Sequence, residues 1–267
     1  MNHGRYPSFV LSALLATSLL APLDTLGRFC RFAARMLTLV PSRGWSFSQL
    51  LEQAGTLIAR CFIPVCATIF PFGAVIGVQG MAIFDLFGAH RLLSSLLSLV
   101  IIRELAPVLA AVLVAAQGGA SFAAELGAMR IKEELDATAV MGVDPIAWHV
   151  VPRVLSMVFV VPLLTTLANA FGVAGGYVVA VLMYDQDHGV FVHHMAQLIG
   201  MYDLVASAAK GAAFGLLVGL ISTFRGFSAT GGAEGVGRAV NDTVVYSVMF
   251  ILVVNYALSS LLFGGAS

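Results

Sequence analysis

ELGAMRIKEELDATAVMGVDP (125–145) carries seven of the chain's 28 charged residues in 21 positions. The run before it, about 92–117, has only Arg103 and Glu104 as charges; the run after it, about 153–183, is apolar and rich in glycine (Gly172, Gly175, Gly176). A charged, helix-patterned insert between two long apolar runs reads as two membrane spans joined by a loop in water, because a charged side chain at mid-membrane costs about 2.5–3.5 kcal/mol on insertion scales.

Composition supports that reading. The 267 residues are 59% apolar and 10% charged, with a mean hydropathy of +0.95, whereas soluble domains carry roughly 25% charged residues. The fold class expected is therefore an all-α polytopic membrane protein, since helices satisfy their own backbone in lipid. Net charge is zero, and no basic face points to nucleic acid. Cys30, Cys61 and Cys66 lack metal-ligand spacing and read as packing residues.

Five spans are expected, at about 61–84, 92–117, 153–183, 204–224 and 243–263, with a short polar turn at Asp85–Arg91, a semi-polar loop at 185–203 and a Gly-rich loop at 225–238. Residues 1–50 form a separate membrane-associated helical region, ahead of a membrane domain at 51–267. Its beginning imitates a signal peptide, with Arg5 before the apolar stretch Phe9–Ala21, but no small-x-small site precedes Pro22 and the stretch reads as retained. Over 26–40, Leu26, Phe29, Ala33, Met36, Leu37 and Val40 share one helical face while Arg28, Arg31 and Arg35 fall opposite. That pattern suits an amphipathic helix at the membrane surface.

The basic residues give an orientation. Arg5, Arg28, Arg31, Arg35, Arg43 and Arg60 precede the first span, Arg130, Lys132 and Arg153 surround the insert, and Arg225 and Arg238 border the Gly-rich loop. Eleven of the 14 basic residues thus share one side, against Arg91 and Lys210 on the other. The positive-inside rule makes the N-terminus, the insert and the Gly-rich loop cytoplasmic.

Within the insert, Ala128, Ile131, Leu135 and Ala139 recur at helical spacing, Gly142 is placed to stop the helix and Asp144-Pro145 to end it. Such a helix, rigidly joined to two spans, can transmit force from a soluble partner; a solvated loop helix is the simpler alternative. Arg103 and Glu104 lie inside a span and are candidates for function on that ground. Adjacent helical residues point about 100° apart, so the two need not pair with each other. One can meet a lipid headgroup or wet cavity while the other pairs across a dimer. A structural ion pair is the alternative.

Gly231-Gly232-Ala233-Glu234-Gly235-Val236-Gly237 lacks the Lys-Ser/Thr ending of a phosphate-binding loop and reads as a tight turn. His188, His193 and His194, with Asp185 and Asp187, have no diagnostic metal spacing.

The stretch IIRELAPVLAAVLVAAQGGASFAAELGAMRIKEELDATAVMGVDPIAWHVVPRV (101–154) resembles the signature region of MlaE/YrbE-type permeases. These are membrane subunits of ABC transporters that work with MCE-domain lipid-binding proteins. PFGAVIGVQG (71–80), GFSATGGAEGVGRAVNDTVV (226–245) and VNYALSSLLFG (254–264) extend the similarity over roughly 55–264. At Gln117 and Asn255 the chain departs from the Mla branch, where an arginine and an acid are common, and Asn255 with Asn241-Asp242-Thr243 looks closer to YrbE permeases of Mce systems.

The resemblance implies a non-enzymatic permease subunit in a bacterial inner membrane, paired with a second copy or paralogue. It implies a separate cytosolic ATPase holding ATP and Mg, with no cofactor in this chain. Glu125, Gly127, Met129, Arg130, Glu133, Glu134, Asp136, Met141, Gly142, Asp144 and Pro145 match the coupling motif that docks on that ATPase. Arg103 and Glu104 fall near the lipid cavity, and the cargo implied is a phospholipid passed to or from an MCE protein. An ion- or proton-coupled secondary transporter of an amphipathic substrate is the alternative, distinguished by a gradient requirement without ATP.

Overall fold

The computed structural model of the chain describes residues 8–41, 44–86, 88 and 92–263; Arg5, Arg43 and Arg91 of the orientation count lie outside them. The described residues form helices and no strand. In chain order they are α1 (Ser8–Leu39), α2 (Phe47–Asp85), α3 (Leu93–Ile131), α4 (Glu134–Val140), α5 (Ile146–Met183), α6 (His188–Leu198), α7 (Met201–Phe227) and α8 (Gly232–Phe263). Five of them, α2, α3, α5, α7 and α8, are long and apolar enough to cross a membrane.

These five helices overrun the apolar stretches that announce them. At 1.5 Å per residue the 39 residues of α2 reach almost 60 Å, about twice the hydrocarbon thickness. Hydropathy marks only the part that must lie in lipid, whereas backbone hydrogen bonding carries each helix on into the polar margin. Pro64 and Pro71 sit inside α2 without ending it. α3 and α5 each contain single π-helical turns, at Ile101–Leu105 and Ala115–Gly119 in α3 and at Ile146–Val150 and Val178–Met183 in α5. Wide turns of this kind are frequent at functional positions, and the first of them carries Arg103 and Glu104.

α5 lies at the centre, packed on α2 along one side and on α7 along the other, while α3 packs against α7 and α8. Apolar side chains are no drier in a protein than in lipid, so close van der Waals approach holds such helices together, and glycine permits it. A Cβ on Gly73 of α2 would stand 1.9 Å from the Gly172 carbonyl oxygen of α5, and one on Gly215 of α7 would stand 2.4 Å from the Met157 oxygen of α5. Gly211, Gly215 and Gly219 repeat at four-residue spacing along that second seam. α8 is the peripheral helix: only 11% of its most apolar window is covered, against 50% for α5 and α7.

The N-terminal helix docks on the protein by part of the expected apolar face, Phe29, Met36 and Val40, with Phe32 added to it. Phe32 and Met36 are its buried residues, meeting Ile146, Val150 and Phe224, with Phe29 and Phe32 edge-on to Phe224. Leu26 and Leu37 stay exposed. Helical periodicity defines an apolar arc but not which sector of it the bundle covers. Cys61 and Cys66 are buried packing residues as expected, whereas Cys30 is exposed.

Candidate functional site

Two charged constellations stand at opposite ends of α3. The first lies toward the end of the bundle away from the insert and draws on three helices. Arg103 Nε donates to Asp203 Oδ1 at 2.8 Å, and the other oxygen of Asp203 accepts the Gly200 N–H at 3.0 Å, closing the first turn of α7. Glu104 faces Lys210, whose Nζ lies 3.1 Å from Oε1 and also donates to the Arg103 carbonyl and Ser259 Oγ, both at 2.7 Å. From α8, Asn255 Nδ2 donates to Glu104 Oε2 at 2.8 Å and Ser259 Oγ to Oε1 at 2.7 Å. The Phe263 ring lies beneath Arg103, its centroid 4.6 Å from the guanidinium carbon.

Arg103 and Glu104 therefore do not pair with each other, and both find their counter-charges within the chain. Lys210, counted from sequence with Arg91 on the side opposite the insert, is no loop residue but has 0% exposure inside α7. Glu104 keeps a face open, its side chain 42% exposed. The cluster is thus a closed ionic lock with one carboxylate edge facing outward. Asp203, Lys210, Asn255 and Ser259 complete it; the sequence marked Lys210 only as a basic residue of that side and Asn255 only as a departure from the Mla branch, and tied none of the four to Arg103 or Glu104. The signal that could have found them is spacing: Asp203 and Lys210 are two turns apart on α7, and Asn255 and Ser259 one turn apart on α8.

The second constellation is the insert, which is not one helix. α3 continues to Ile131, the chain turns through Lys132 and Glu133, and α4 begins at Glu134. Glu133 adopts φ +60°, a left-handed conformation unusual for a side-chain-bearing residue. That turn re-aims the helical face, so Leu135 is buried while Ile131 is exposed and the expected Ala128–Ile131–Leu135–Ala139 stripe is split. Gly142 at φ +80° ends α4, its N–H bonded to the Ala139 oxygen and that of Val143 to the Thr138 oxygen. This is the Schellman arrangement for which glycine is favoured.

The residues matching the coupling motif divide by location. Glu125 faces inward to a network joining three helices: it lies 3.3 Å from Arg153 Nη2 of α5 and 3.8 Å from Arg60 Nη1 of α2, and it accepts from Ser121 Oγ, which also accepts from Arg60. Gly127 is buried where a Cβ would come within 3.2 Å of Val236, and Met129 is half-buried. Arg130 pairs with Asp136 at 2.6 Å, tying the end of α3 to α4. Glu133, Glu134, Asp136, Met141 and Gly142 are exposed. Val140 and Met141 project farthest, at 89% and 73% exposure.

Asp144 and Pro145 launch α5. The Asp144 carboxylate accepts the Ile146 N–H at 2.9 Å and the Arg35 guanidinium of α1 at 2.8 Å. Partial burial pushes this carboxyl up, but the Arg35 hydrogen bond and charge, with the backbone N–H groups of Ile146 and Ala147, outweigh that and hold it below the usual carboxylate value. Of the other predicted surface arginines, Arg28 pairs with Asp24 at 3.2 Å and Arg31 is exposed.

Elsewhere, the turn between α7 and α8 is confined to 228–231; most of the expected loop at 225–238 is helix, with Gly231 and Gly232 at positive φ. The histidines of 188–194 have local roles, His188 Nδ1 2.9 Å from the Tyr177 hydroxyl and His193 Nε2 2.9 Å from Gln197, while Asp187 caps α6.

Five helices long and apolar enough to cross a membrane, closed at one end by an ionic lock and joined at the other by a charged elbow, make this a multi-pass membrane protein. Its sequence matches the permease MlaE family over residues 50–261, and the chain belongs to that family. It is 34% identical to a probable ABC transporter permease protein of Rickettsia bellii, over 90% of this chain and 93% of that one. It is 38% identical to a probable ABC transporter permease protein of Synechocystis, over 72% and 73%. With the intermembrane phospholipid transport system permease protein MlaE of Haemophilus influenzae it shares 31% identity over 82% and 84%. The chain is accordingly an ABC transporter permease of the MlaE family.

Proposed function

We propose that this permease carries phospholipid between a bacterial inner membrane and an MCE-domain protein outside it, working as a pair with a second copy or a paralogue and driven by a separate cytosolic ATPase that holds ATP and Mg. The observation that carries the reading is the continuity of α3. One helix holds Arg103 and Glu104 in the ionic lock and, about 40 Å along its axis, the elbow with α4. Force on the elbow reaches the lock without crossing a flexible joint. The cargo assignment leans on the name of the Haemophilus relative, an intermembrane phospholipid transport system permease protein, and on the half-open edge of Glu104, which can meet a headgroup.

In this reading the N-terminus, the elbow and the α7–α8 turn face the cytoplasm, where Arg28, Arg31, Arg35, Arg130 and Lys132 favour the anionic leaflet and bulk water. Val140 and Met141 form the apolar knob that enters a groove on the ATPase, rimmed by Glu133, Glu134 and Asp136. Replacing both knob residues, Val140→Asp with Met141→Asp, should abolish co-purification of the ATPase while leaving the thermal unfolding of the permease unchanged, since both side chains are exposed. Undiminished co-purification would overturn the docking assignment. Transport that persists with a hydrolysis-deficient ATPase and stops on collapse of the proton gradient would favour a proton-coupled carrier instead.

A further inference from the structure

Between α1 and the turn joining α7 to α8 lies a cleft of about 360 Å³ that is separate from both the ionic lock and the elbow. Three arginines line it from three helices: Arg28 on α1, Arg225 in the last turn of α7, and Arg238 in α8. Each has an acidic neighbour. Arg28 pairs with Asp24 at 3.2 Å and Arg238 with Glu234 at 3.6 Å, both exposed pairs within one helix. Pairs of that kind contribute little, so either guanidinium can turn to another anion. Arg225 is more fixed, held 3.3 Å from Asp242 and 4.3 Å from the centre of the Tyr246 ring. Ser228 and Thr230 add hydroxyl groups to the wall, and the positive end of the 32-residue α8 begins beside them.

Depth selects the kind of anion. The apolar run 243–263 rises about 30 Å, the thickness of the hydrocarbon layer. Arg238 and Asp242 therefore stand at its edge, where headgroups lie. Farther along α8, Val245, Met249 and Val253 are uncovered, so an anion bearing acyl chains would find apolar surface directly below the cleft.

We propose that this cleft binds the phosphate of an anionic phospholipid taken from the leaflet on the insert side. It would be a second headgroup station, across the membrane from the ionic lock. The assignment deepens the lipid-transport reading and rests on it for the class of ligand; the chemistry shared with any other occupant is a phosphate anion.

The test uses the full-length protein in phosphatidylcholine nanodiscs containing a photo-crosslinkable phosphatidylglycerol, with labelled peptides mapped by mass spectrometry. Labelling of the 224–246 region should fall about tenfold in Arg28→Gln/Arg238→Gln, as two charge-assisted contacts are lost at a partly screened site, and should return in Arg28→Lys/Arg238→Lys. Labelling around Glu104 should not change. Undiminished labelling in the glutamine variant, or equal labelling by a phosphatidylcholine probe, would overturn the proposal. Displacement of the label by excess inorganic phosphate would assign the cleft to free phosphate and overturn the lipid source. Transport lost with this labelling intact would count against the transport reading and not against the cleft.

Discussion

Neutralising Glu104 should destabilise the protein more than removing Lys210, although the two belong to one ion pair. In Glu104→Gln the Lys210 ammonium, with 0% exposure, is left without an anion, facing the Arg103 carbonyl, Ser259 and Asn255 beside the Phe263 ring. Breaking a buried pair from one side costs about 3–5 kcal/mol, and the three neutral acceptors bring the expectation to the lower end, about 3 kcal/mol. In Lys210→Met the Glu104 carboxylate keeps its donors, Asn255 Nδ2 and Ser259 Oγ, and an edge open to solvent or headgroups, so the cost should be only about 1–2 kcal/mol. The double variant buries no lone charge and should lie well above the sum of the two, by about 1.5 kcal/mol or more. Thermal unfolding of the purified chain in detergent reads this directly. At about 2–4 °C per kcal/mol for a chain of this size, Glu104→Gln should lower Tm by about 6–12 °C and Lys210→Met by one-third to two-thirds as much. Equal losses, or a double variant equal to the sum of the singles, would refute the reasoning that the lock is held by one buried cation and one half-open anion.

Two further outcomes follow from packing and charge. Gly73→Ala should prevent stable folding, visible as loss of monodisperse protein on size exclusion, because its Cβ would overlap the Gly172 oxygen at 1.9 Å; Gly237→Ala, with nothing within 4 Å, should be neutral or gain up to about 1 kcal/mol from helix propensity. Asp144→Asn should cost about 1 kcal/mol at neutral pH, through the weakened start of α5 and the lost Arg35 pair. Because the Asp144 carboxyl titrates lower in the folded protein than in the unfolded chain, its contribution is complete above the ordinary carboxylate value and disappears as pH falls through the folded value. The wild-type advantage should therefore be flat near neutrality and close on acidification, as followed by Tm against pH.

Membrane class, the number of spans and the family were legible from residue order alone, because hydropathy and helical period act over contiguous segments. The membrane-embedded centres of α2 and α3 could be anticipated from their apolar runs, though not their full 39-residue lengths, and the charged stretch 125–145 from its contrast with its surroundings. Gly142 was readable as a stop because few other residues take positive φ at so little cost. Arg103 and Glu104 stood out because a charge in an apolar run is costly wherever it points.

What they point at was decided only by the tertiary structure. Asp203 and Lys210 lie about 100 positions from Arg103 and Glu104 along the chain, and Asn255 and Ser259 about 150. No local pattern ties such residues together; the glycine seams that draw α5 against α7, and the packing of α3 on α7 and α8, bring them within hydrogen-bonding distance. The same holds for Glu125, which the motif groups with the exposed elbow but which the crossing of α2, α3 and α5 turns inward to Arg60 and Arg153. It holds for the left-handed turn at Glu133, which redirects α4. Period and composition state what each helix can bury, while the partner against which it buries it is set by the contact of whole helices.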